Sequence, residues 1–140
     1  MNELVTEWIR KAESDYLVAQ HELKLAEPRT SEAVCFHAQQ CVEKYAKAFL
    51  TEHEVEFEYT HNMLYLHRKC VEIDAEFKKH ERGFDILDDY AVDIRYPGIF
   101  VKDEDAKESF EIAKPIRALI RSKLNLPEED LPKEGNEPEK

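Results

Sequence analysis

The sequence predicts an all-α fold, an up-and-down bundle of four to five helices. Three observations predict it. Apolar residues recur at three- and four-residue steps over long segments. Only 3 glycines occur in 140 residues, and β-branched residues seldom cluster. The length fits one domain, in which roughly 68% of the unfolded chain's surface can be buried. Such a core forms without disulfides or metal.

The first helix spans residues 3–25, with Val5, Trp8, Ala12, Tyr16, Ala19 and Leu23 as its buried stripe. Leu4 and Ile9 widen that stripe. Glu7, Arg10, Lys11, Glu13 and Asp15 take the wet side. Pro28 disfavours helical backbone at Glu27 and ends the element. The short connection that follows makes the next helix an antiparallel neighbour.

That next helix, Thr30 to Leu50, is the least ambiguous element. A hydroxyl at Thr30 or Ser31 is placed to accept a bond from a free N–H of the first turn. Val34, Ala38, Cys41, Val42, Tyr45, Ala46 and Phe49 form one apolar face. His37, Gln40, Lys44 and Lys47 fall on the opposite side, but so do Phe36 and Leu50, with Glu43 midway. Apolar residues on both sides mark a helix buried on both sides. We therefore expect a central helix, with Phe36, Glu43 and Leu50 turned toward a second subunit.

Residues 53–60 alternate weakly, with Val55, Phe57 and Tyr59 on one side. A lone strand has no partner elsewhere in the chain, so a connecting loop with its aromatics tucked down is expected. Thr60 is placed to cap a third helix bearing Met63, Leu66, Cys70 and Ile73, with a break near Asp74 and Phe77 continuing the spacing. Gly83 costs a helix interior about 1 kcal/mol against Ala, so it marks either a boundary or a close contact. Phe84, Leu87, Ala91 and Ile94 define a fourth helix that stops at Arg95-Tyr96-Pro97-Gly98. Asp103 or Asp105 then caps a fifth, with Ala106, Phe110, Ala113, Ile116 and Ile120 in its stripe and an end near Leu124. Pro115 inside it predicts a kink. The helical domain is thus 1–124. Residues 125–140 are acidic, Pro-rich and aperiodic, and a disordered tail is expected there.

A net charge of −11 argues against broad, non-specific nucleic-acid binding, which needs Lys and Arg to neutralise phosphates. It leaves room for a local basic groove. Cys35, Cys41 and Cys70 form no CxxC pair, and neither a secretory leader nor a run of about 20 apolar residues is seen. The expectation is a cytoplasmic protein with reduced, buried thiols and no membrane contact.

Three constellations carry candidate chemistry. His37, Gln40, Lys44 and Lys47 line a groove for an anionic ligand, present a surface to a partner, or form an ordinary solvated helix face. Arg95 offers a charged fork suited to phosphate or carboxylate, Tyr96 a ring for stacking, and Pro97 rigidity. Alternatively, Arg95 binds its own helix carbonyls or pairs with Asp89 or Asp93. Lys107, Lys114, Arg117 and Arg121 form a row that either faces phosphate or pairs with Glu108 and Glu111. No HExxH or HxxxH occurs, and His61 and His67 are six apart, so no metal site or cofactor is expected. No Gly-rich phosphate loop exists.

Several of these strings together resemble the HEPN domain family. CFHAQQCVEKYAKAFL in the second helix, Trp8 in the first, His61 opening the third (HNMLYL) and RYPG after the fourth match in order and spacing over about residues 3–124. The resemblance implies a homodimeric bundle, frequently paired with a minimal nucleotidyltransferase in a toxin–antitoxin or regulatory complex. Some relatives are ribonucleases that use Arg, four to six residues, then His. Here YPGIFVKDED follows Arg95 and no His lies downstream, which argues against that activity. The expected function is a non-catalytic interaction protein. Arg95, Tyr96, Pro97, His37, Lys44 and Lys47 would contact the partner or ligand, with nucleotide or RNA as further candidate ligands. The alternative is an RNA-cleaving toxin with a non-standard site around Arg95, in which Tyr96 or a His such as His61 moves the proton.

Overall fold

The computed structural model describes residues 1–25, 30–91, 97–98 and 100–127. Its elements are α1 (Glu3–Leu25), α2 (Ser31–Glu52), α3 (Met63–Ile73), a 3-10 helix (Ala75–His80), α4 (Glu81–Asp88) and α5 (Asp103–Lys123). The protein is all-helical, with five α-helices and no strand among the described residues.

α2 is the hub and packs against α1, α3, α4 and α5. Its apolar face is sealed: Val34, Ala38, Cys41, Val42, Tyr45, Ala46 and Phe49 are all buried. α1 begins where the Asn2 side chain accepts from the Val5 N–H, and Val5, Ala12, Tyr16 and Ala19 are buried as the periodicity predicts. α1 runs antiparallel to α2, because Trp8 meets Lys47 while Asp15 meets both Lys44 and His37. Tyr16 stacks on Phe110, ring centres 5.2 Å apart, and joins α1 to α5. Phe49 meets Phe77 at 4.9 Å, and His67 donates from Nε2 to the Phe77 carbonyl at 2.8 Å. These contacts fasten the 3-10 helix to the core. Its side of the bundle closes at Gly83, where a Cβ would stand 2.9 Å from Ile112 Cγ2. Gly83 therefore marks a close helix–helix contact and not a boundary.

Several local details differ from expectation. Thr30 stands at the N-cap of α2 without a side-chain cap bond. Its hydroxyl instead donates to the Glu22 carbonyl, and the Ser31 hydroxyl donates to Asp103. Thr60 does not cap α3. Asn62 does, accepting from the Tyr65 N–H at 3.0 Å, while Thr60 accepts from Asn62 one step earlier. α4 ends at Asp88, short of Ala91, because Asp89, Tyr90 and Ala91 bond back to the carbonyls three residues earlier and tighten into turns. Lys102 is the N-cap of α5; Asp105 reaches back to accept from its N–H. α5 carries Pro115 in its interior, where the sequence places it. The chain stays attached beyond Leu124, since the Leu126 N–H donates to the Arg121 carbonyl and Arg121 Nε to the Pro127 carbonyl. The rest of the expected tail, 128–140, lies outside the described residues.

Candidate functional site on the second helix

Between Ala33 and Lys44, α2 is accessible at Ala33, Phe36, His37, Gln40 and Lys44 and buried at every other position. Those five recur at three- and four-residue steps, so they form one strip. It lies between α1, which supplies Asp15 and Trp8, and the loop after α2, which supplies Tyr59 and His61.

Along this strip two nearly buried carboxylates are each shared by one lysine and one histidine. Asp15 accepts from His37 Nδ1 at 2.7 Å and from Lys44 Nζ at 2.8 Å. Glu43 accepts from Lys47 Nζ at 2.8 Å and from His61 Nδ1 at 3.0 Å. Gln39 completes the second group, donating to Glu43 at 2.8 Å and accepting from Gln40. A carboxylate oxygen only accepts, so each imidazole carries a proton on Nδ1, and the neutral ring offers Nε2 as an acceptor. Those rings stay accessible, with side-chain exposures of 29% for His37 and 47% for His61. The Lys47 ammonium is roofed by aromatic rings, 5.4 Å from the Trp8 centre and 5.8 Å from that of Tyr59. Tyr59 itself is 95% exposed, so this loop aromatic is not tucked down as expected.

A third polar group lies on the far side of α2. Arg117 clamps Glu13 through Nε and Nη2 at 2.6 and 3.0 Å, and Tyr45 donates its hydroxyl to the same carboxylate. Arg121 donates to the Tyr45 oxygen at 2.9 Å. The Arg117 guanidinium also lies 4.2 Å from the Tyr16 ring centre. Burial alone pushes the Glu13 pKa up, but the bonds from Arg117 and Tyr45 and the two guanidinium charges outweigh it, and the carboxyl lies below its ordinary value. Burial, together with the Glu13 charge, pushes the Tyr45 phenol far up. This group fastens α1, α2 and α5 together.

The expected site residues are thus separated. His37 and Lys44 do share a site, on Asp15. Lys47 is turned inward and buried at 3% exposure, so it neither lines their groove nor faces solvent. Glu43 and Leu50, expected at a subunit interface, are 2% and 0% exposed within their own chain. α3 and the loop before it cover the side of α2 that the sequence left open. Phe36 is the one interface candidate of the three that remains partly accessible. In the basic row, Lys107 and Lys114 are exposed, but Arg117 and Arg121 turn into the bundle onto Glu13 and Tyr45. They pair with neither Glu108 nor Glu111. Arg95 and Tyr96 lie outside the described residues. Pro97 is exposed, beside Gly98 at φ +94. Sequence reasoning missed Asp15 and Glu13, assigned to the wet side, and the roof formed by Trp8 and Tyr59. The antiparallel register of α1 on α2 was the available signal, since it sets the acids at 13 and 15 beside Lys44 and Tyr45.

All three thiols are buried. Burial pushes Cys35 up to about 11 and Cys70 up to about 12. Among the described residues no three His, Cys, Asp or Glu side chains gather to hold a metal ion, and no helix is long and apolar enough to cross a membrane.

A hub helix ringed by four others, with polar groups fixed on internal partners, defines a small helical-bundle domain. The HEPN domain family matches residues 5–123, and the chain belongs to that family. Two crystal structures share the fold. One is ST0689, an archaeal HEPN homologue, at 23% identity and TM-score 0.67, covering 89% of this chain and 99% of that one. The other is TT1696 from Thermus thermophilus, at 22% identity and TM-score 0.71, covering 88% and 99%. No protein of curated function matches the chain.

Proposed function

We propose that the chain is a non-catalytic, homodimeric interaction component that pairs with a minimal nucleotidyltransferase, in a toxin–antitoxin or regulatory complex. One observation supports this reading above the others. Lys44 on the α2 strip and the buried Lys47 beside it are both neutralised by carboxylates of their own chain, while rings and amides stay accessible around them. Such a strip offers little to a phosphate. Trp8, Phe36, Gln40 and Tyr59 are instead the residue types that protein interfaces use, aromatic anchors beside adaptable amides. The test is co-purification with a nucleotidyltransferase co-expressed from the same host. The wild-type chain retains it in stoichiometric amount, and Tyr59→Glu, which leaves the core untouched, loses it. Equal retention by both proteins overturns the strip assignment.

A second reading, RNA cleavage, draws support from His37. Its Nδ1 is held by Asp15, and among the described residues its Nε2 has no partner. This is how a general base is oriented. Purified protein that cuts RNA, and a His37→Asn variant that does not, would establish it. An inactive wild type disposes of it.

A further inference from the structure

α4 and α5 touch at Gly83, and a surface groove of about 350 Å³ opens around that contact. Its floor is apolar, formed by Ile86, Ile112 and Pro115 beside the glycine. Its two rims carry opposite charge. Lys79 and Arg82 stand on the α4 side, Glu108 and Glu111 on the α5 side. Pro115 sharpens the acidic rim: it has no N–H to give the Glu111 carbonyl, so that oxygen lacks its ordinary helical donor.

These rims do not neutralise each other. Among the described residues Arg82, Glu108 and Glu111 make no ion pair, and Lys79 reaches only Glu76, at 3.4 Å. All four side chains belong to exposed residues. An occupant that satisfies the groove must bring acid to the α4 rim, base to the α5 rim and apolar surface to the floor. The groove itself has that composition.

Two copies facing each other are related by a two-fold axis lying in the plane between them. An axis along the groove sets the basic rim of each copy against the acidic rim of the other, at the same level, and brings the floors together. An axis across the groove sets like charge on like charge. Charge therefore selects the first arrangement. We propose that the α4–α5 groove seats a second copy of this chain about a two-fold axis parallel to the groove. The proposal rests on the homodimeric part of the function above and gives it a face. It also leaves the α2 strip free for the other partner, consistent with the burial of Glu43 and Leu50 inside the protomer.

Charge exchange tests it. Light scattering and sedimentation equilibrium on the full chain, over a concentration series, give the dimer dissociation constant. By symmetry each substitution acts twice. Arg82→Glu alone and Glu108→Arg with Glu111→Arg alone should therefore each weaken the dimer by about tenfold or more. The two variants mixed should form a heterodimer, and one chain carrying all three substitutions should dimerise again. Circular dichroism of these exposed-site variants checks folding. A wild type that stays monomeric at millimolar concentration overturns the proposal, as do single-rim variants that dimerise like wild type or a mixture that stays unassociated. If Phe36→Glu abolishes the dimer while the rim variants keep it, the homodimer stands and the groove assignment falls. Nucleotidyltransferase capture by monomeric Arg82→Glu reads the partner reading separately.

Discussion

Glu13→Ala removes the acid from a cluster that holds two guanidiniums and a phenol. The side chains of Glu13, Arg117 and Arg121 are 12%, 11% and 4% exposed. Breaking a buried pair by deleting one partner costs roughly 3–5 kcal/mol, because the remaining charge is stranded. An exposed pair is worth about 0–1 kcal/mol. This cluster lies near the buried limit with some solvent at its rim, so we expect a loss of about 2–4 kcal/mol. For a chain of this size that lowers Tm by about 5–15 °C. Urea unfolding followed by circular dichroism measures it directly. The pH dependence gives an independent check. The folded pKa of Glu13 lies below 4.5, so its contribution is complete above that value and is lost as pH falls through the folded pKa. The difference between wild type and Glu13→Ala should therefore be constant near neutrality and shrink in acid. A difference below about 0.5 kcal/mol would refute the reasoning, placing the pair in the range of surface ion pairs, as would one that does not change with pH.

Further outcomes follow from other contacts. Gly83→Ala should destabilise by about 1 kcal/mol, the crowding of Ile112 outweighing the gain in helix propensity. Adding Ile112→Ala should make the Gly83 substitution stabilising relative to Ile112→Ala alone, and urea midpoints read both. Lys47→Met leaves the Glu43 charge buried with Gln39 and His61 and should cost about 3 kcal/mol, whereas Lys107→Met, at an exposed position, should change stability by less than about 0.5 kcal/mol. Because Cys35, Cys41 and Cys70 are buried with raised pKa values, a thiol-specific chromogenic reagent at pH 8 should label the native chain only at its unfolding rate. Rapid labelling of any thiol contradicts that burial.

The fold was largely legible because helical periodicity is a local property. The stripe of α1, the hub position of α2 and the break at Asp74 are all visible in residue spacing. What depended on tertiary register was not. Leu50 looks exposed on a helical wheel, but α3 and the loop before it fold back over that side. Arg117 and Arg121 look like part of a solvated row, but α1 presents Glu13 to them across the bundle. Asp15 and Glu13 sit at the edges of their helix stripe, and only the pairing of α1 with α2 and α5 turns those edges inward. Cap positions shifted for a similar reason: Thr30 and Asp103 found tertiary partners that outcompeted the local N–H groups. Trp8 and Tyr59 meet over Lys47 from separate elements, and sequence spacing does not encode that meeting.

A quantitative capture from the host tests the pairing with a nucleotidyltransferase. The tagged chain is retrieved from lysate, its protein partners are counted by mass spectrometry, and nucleic acid is extracted from the same sample, for wild type, Tyr59→Glu and His37→Asn. A stoichiometric nucleotidyltransferase is expected with wild type and His37→Asn, its loss with Tyr59→Glu, and intact RNA throughout. RNA recovered without a nucleotidyltransferase, cleaved by wild type and left intact by His37→Asn, would contradict it and make the chain a nuclease.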